Sequence, residues 1–128
     1  MATVHMTAKK QVTLQDIQRK LRDIKGIEPV SHFSRTIHDV RILTLVYEKH
    51  YLRTRGYTTA TVALTEFGED QTVCVITSGG GEGIYNSSSG AYRSLAKECI
   101  CVLQSCGFTA VDSDLETKGK SFAERFLE

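Results

Sequence analysis

The chain has 128 residues, 41% of them hydrophobic and 24% charged, with a formal net charge of +1. That size predicts one domain, residues 1–128, able to bury a core without staples, and the ordinary composition argues against disorder. No apolar run reaches the length of a bilayer span, the first residues lack a basic start followed by an apolar block, and a cytoplasmic location is expected. The charge is uneven: residues 1–55 hold eleven Lys/Arg and five Asp/Glu (+6), residues 56–128 five and ten (−5). Such asymmetry marks either a basic face or two halves that attract each other in the fold.

Residues 2–8 alternate weakly, as a first strand would. Leu14, Ile17, Leu21 and Ile24 share one face of a helix predicted over 14–25, with Thr13 as N-cap and Gly26 as the stop. In the next strand Phe33, Arg35 and Ile37 share one face, and His32, Ser34, Thr36 and His38 the other. Residues 40–48 are apolar on both faces and rich in β-branched types, as in a central strand. A turn at 53–56 leads to a period-two strand over 57–67. A second turn, Gly68-Glu69-Asp70, leads to a strand over 72–77. Short turns of this kind predict an antiparallel meander.

Residues 78–90 read as a Gly/Ser-rich loop with a short pairing at Ile84-Tyr85. A second helix covers 91–106 and buries Tyr92, Leu95, Ala96, Cys99, Leu103 and Cys106, with Gly107 ending it. In the tail, Phe122, Ala123, Phe126 and Leu127 suit a short closing helix. The expectation is an α+β fold of order β-α-β-β-β-β-α: an antiparallel sheet of about five strands with two helices on one face, plus the short C-terminal helix. The element order over residues 2–106 is similar to that of the TATA-binding-protein repeat, a likeness that transfers no function. The strand end Val75-Ile76-Thr77-Ser78-Gly79-Gly80, followed by a loop and a helix, resembles a family of small bacterial domains of unknown function. That resemblance implies strand, helix and meander, and no activity.

Chemistry is sought in four places. Gly79, Gly80, Gly81 and Gly83 follow a strand, and Ser88 and Ser89 precede a helix, so backbone N–H groups there could hold a small anionic ligand. The loop lacks the last glycine of a dinucleotide fingerprint and the Gly-Lys-Ser/Thr of a P-loop, and Glu82 would repel an anion. Ser88 lies in a near-match to a nucleophile elbow, but Asn86 replaces the leading glycine and the β/α alternation of a hydrolase is missing. Among the cysteines, Cys99 and Cys101 point about 200° apart on a helix and Cys99 and Cys106 are two turns apart, so neither pair grips one ion. Reduced thiols are expected; Cys101 reads either as an exposed thiol or, as the preferred reading, as a point where its helix face is covered by the tail or a second subunit. His32 and His38 lie about 20 Å apart along a strand, too far to share a metal. Finally, Lys49, Tyr51, Arg53 and Arg55, in the hairpin 47–57, interleave cations with aromatics, which suits nucleic acid. The pI near 7.7 is below the range usual for such binders.

No catalytic constellation, metal set or cofactor site survives these spacing tests. The favoured reading is a non-catalytic binding or self-assembling module, a possible homo-oligomer with no membrane partner, meeting its partner through an exposed sheet face or edge. Nucleic-acid binding through the basic hairpin and anion binding at the Gly-rich loop are the alternatives.

Overall fold

The computed structural model describes residues 1–51, 56–79 and 88–114. Its elements run β1 (Ala2–Lys9), α1 (Leu14–Arg22), β2 (Ile27–Ile37), β3 (Val40–Tyr51), β4 (Gly56–Phe67), β5 (Asp70–Gly79), α2 (Ser88–Ser105) and β6 (Thr109–Ser113). The six strands form one antiparallel sheet in the order β2-β3-β4-β5-β1-β6. The α+β class, the meander and the two helices agree with the sequence reading.

Both helices lie on one face of this sheet. Their apolar stripes (Leu14, Ile17 and Leu21; Leu95, Cys99, Leu103 and Cys106) close over Val4, Met6, Leu43, Leu45, Tyr47, Val62, Leu64, Val73 and Val75. Every second residue of β1, β3, β4 and β5 therefore points into the core, as a strand with one covered face requires. The β2–β3 and β4–β5 turns are two residues long, joining Ile37 to Val40 and Phe67 to Asp70. Each turn opens on a residue with positive φ, His38 (52°) and Gly68 (58°).

Several boundaries differ from expectation: β3 runs on to Tyr51, β5 covers Asp70–Gly79 rather than 72–77, and α2 begins at Ser88 rather than 91. Helix α1 stops at Arg22, not 25: the Ile24 N–H tightens to the Leu21 carbonyl three residues back, and Gly26 takes a positive φ of 84°. Strand β2 begins six residues before Phe33, and its register slips between Pro29 and Ser31, where proline has no N–H to give the ladder. The sixth strand, β6, was not expected. Phe108, 2% exposed, is seated in the core, and the chain beyond it pairs with the free side of β1. The expected closing helix and the pairing at Ile84-Tyr85 lie outside the described residues.

Candidate functional site: the uncovered sheet face

Opposite the helices, the sheet has no cover among the described residues. Register alone dictates what stands there. Moving across the strands, one row is Arg35-Ile42-Thr65-Thr72-Thr7-Thr109, and the next is Phe33-Thr44-Ala63-Cys74-His5-Asp112. A third is Ser31-Val46-Thr61-Ile76-Thr3. Threonine, β-branched and aromatic residues dominate, and charged groups are confined to the rim: Arg35, Glu28 and Glu48, the Lys9–Asp70 ion pair, and Asp112. Six large apolar side chains stand exposed on this one face, namely Phe33, Ile37, Tyr57, Phe67, Ile76 and Val111. Scattered singly they would need no explanation; six on one face make it the candidate surface for an interaction.

Strand β2 extends the same surface. From Glu28 to Ile37 every residue is exposed, and among the described residues no strand pairs with the outer edge of β2. Such an edge is a ready template for another strand.

On the half of the face toward β6 lies a cluster that sequence reasoning missed. Cys74 Sγ is 3.9 Å from His5 Nε2, and Asp112 flanks His5 on β6, its Oδ1 buried without a hydrogen-bond partner. Cys74 and His5 are 69 positions apart, so only the β1–β5 register brings them together. Burial raises the Cys74 thiol above its ordinary range, which keeps it protonated and argues against a nucleophilic thiolate. No group of three or more His, Cys, Asp or Glu that could hold a metal occurs among the described residues.

The predicted site residues are dispersed. Lys49 points to the helix side, where its Nζ pairs with Glu98 of α2 at 2.7 and 2.8 Å. Tyr51 ends β3, and Arg53 and Arg55 lie outside the described residues. Gly79 closes β5 with φ 88°, and a Cβ there would meet the Tyr57 carbonyl at 2.8 Å, so glycine is required for strand pairing whatever else it does. Gly80, Gly81 and Gly83 lie outside the described residues. Ser88 and Ser89 form the first turn of α2. All four cysteines are free; Cys99 and Cys106 are buried as expected, whereas Cys101, expected to be covered, is exposed in the single chain. A separate polar cluster serves the fold: buried Gln71 donates to Val12 O at 2.9 Å and to Glu66 Oε1 at 2.8 Å, fixing the β1–α1 connection to the sheet.

No helix among the described residues is long and apolar enough to cross a membrane. No curated protein and no solved structure matches the chain. The profile of a family described as "Family of unknown function (DUF6054)" matches residues 1–107, which spans β1 to the end of α2. The likeness read from the β5 strand end thus has its counterpart in a match over most of the chain, and the protein belongs to this family of unknown function.

Proposed function

We propose that the protein is a non-catalytic self-assembling module in which two copies meet through their uncovered sheet faces. The observation that carries this reading is the gathering of Phe33, Ile37, Tyr57, Phe67, Ile76 and Val111 on the one face that no helix covers. Size supports it. Six strands spaced about 4.8 Å apart, each roughly nine residues long at about 3.3 Å per residue, span about 800 Å², close to the roughly 800 Å² per partner of a stable interface. Two twisted sheets pack face to face at a small angle with alternate side chains interdigitating, and threonine and β-branched residues suit that packing. A second copy is the favoured occupant because the face is nearly uncharged within its rim and therefore does not repel itself. The four free cysteines support a reducing compartment such as the cytoplasm.

Ile76, flanked in register by Thr61 and Thr3, lies well inside the face. Sedimentation equilibrium of the wild type is expected to give a dimer. The Ile76→Lys variant is expected to give a monomer with an unchanged far-UV circular dichroism spectrum. A monomeric wild type at about 100 μM, some hundredfold above a micromolar dissociation constant, overturns the reading.

A further inference from the structure

Cys74 and His5 lie one strand apart on β5 and β1, on the half of the six-stranded face toward β6. We propose that they form half of a zinc site, which the second copy completes as a Cys2His2 set between the facing sheets; this rests on the face-to-face dimer proposed above.

Three observations converge on it. First, with Zn–S about 2.3 Å and Zn–N about 2.0–2.1 Å at tetrahedral angles, a sulfur and a nitrogen on one ion stand about 3.6 Å apart. Cys74 Sγ and His5 Nε2 are already at 3.9 Å. Second, a zinc-binding imidazole gives its other ring N–H to a carboxylate, which fixes the ring's tautomer and orientation. Asp112 is the register neighbour of His5 on the side away from Cys74, and its Oδ1 is buried and unpartnered. Third, Ala63, Thr65, Thr72, Thr7 and the larger Val111 line an open hollow of about 300 Å³ beside the pair, leaving room for ligands from a facing copy. One chain offers two ligands where a closed structural site needs four.

Spacing also separates zinc from its chemical rival. A disulfide between the two Cys74 residues needs Cα atoms about 4.4–6.8 Å apart, whereas packed sheets lie about 10 Å apart. A metal with a ligand shell spans the larger gap. On binding, each thiol releases its proton to solvent as the sulfur–zinc bond forms, so two thiolates neutralise the dication while the imidazoles stay neutral. Nothing is oxidised or reduced.

The test uses the full-length chain, stripped with chelator and kept reduced, in a Cys101→Ser background so that the exposed thiol of α2 does not confuse the count. Zinc is titrated against a chromophoric competitor, and oligomeric state is followed by sedimentation with and without the metal. The expected result is one zinc per two chains, with binding lost in Cys74→Ser and in His5→Ala, and weakened about 10–100-fold in Asp112→Asn. A dimer that binds no zinc overturns the metal site and leaves the sheet-face dimer standing. A monomer that binds none overturns both. Zinc retained by Cys74→Ser, or a stoichiometry of one per chain, overturns the metal site.

Discussion

Tyr47 and Cys99 hold ionisable groups where charge is poorly tolerated. Burial pushes the Tyr47 phenol from its ordinary 10.0 up to about 12. Burial, helped by the Glu98 carboxylate, pushes the Cys99 thiol from 9.0 up to about 12. Both groups are acids with a raised folded-state value. The unfolded chain therefore loses its protons first as pH rises, and stability falls where the folded state still holds them. Chemical denaturation at stepped pH is expected to show constant stability below pH 9 and a decline between pH 9 and about 12. The upper part of that decline, from pH 10 to about 12, is expected to shrink in Tyr47→Phe. At neutral pH the same variant should cost no more than about 1 kcal/mol, since it loses only a long hydrogen bond to Gln18 O, at 3.5 Å. At this scale the core was legible: Leu14, Ile17, Leu21, Leu95, Cys99 and Leu103 are buried where helical spacing puts them. The Cys74–His5 pair was not, because cross-strand neighbours depend on a register that no single segment encodes.

Among the elements, β6 was the least visible from sequence. Five residues, Thr-Ala-Val-Asp-Ser, show little alternation, and the strand follows a helix with only Cys106, Gly107 and Phe108 between. What holds it is tertiary: Phe108 in the core, the ladder to β1, and the Thr3 N–H donated to Asp114 Oδ1 at 2.8 Å. Phe108→Ala is expected to lower stability by about 3–5 kcal/mol, the usual cost of deleting a buried aromatic ring. It should also expose to hydrogen exchange those β1 amides that point to β6, and urea denaturation with exchange mass spectrometry checks both outcomes. The two-sided apolar pattern of residues 40–48 was read as a central strand covered on both faces. In the structure one face carries Leu43, Leu45 and Tyr47 into the core, and the other presents Ile42 and Val46 to the open side. The pattern reported the chemistry of both faces correctly, but a sequence cannot say whether the second cover comes from the same chain.

For the whole molecule, the uneven charge has an internal use. Lys9 pairs with Asp70, Lys10 and Arg41 with Glu66, and Lys49 with Glu98, so each of these ion pairs joins a cation of residues 1–55 to an acid of residues 56–128. The asymmetry is thus partly spent holding the two halves of one fold together, which weakens the case for a basic patch aimed at a partner. Association through the uncovered face should accordingly be insensitive to salt. Raising sodium chloride from about 0.1 M to about 1 M, which shortens the screening length from about 10 Å to about 3 Å, is expected to change the dimer dissociation constant by less than about threefold. Fluorescence anisotropy of labelled protein measures it, and a steep weakening would move the interface to the charged rim.

The position of β1 between β5 and β6 also sets a timetable for synthesis. The strands from β2 to β5 pair with their immediate successors and can close as they leave the ribosome. The first strand made cannot, since Ala2 waits for Thr77 and Val4 for Ser113. At about 5–20 residues per second, the delay before its first partner exists is about 3–15 s. Throughout that interval Val4 and Met6, both 1% exposed in the finished fold, lack the β5 and β6 partners that flank them there. The segment most in need of shielding during birth is the one that the mature sheet protects on both edges.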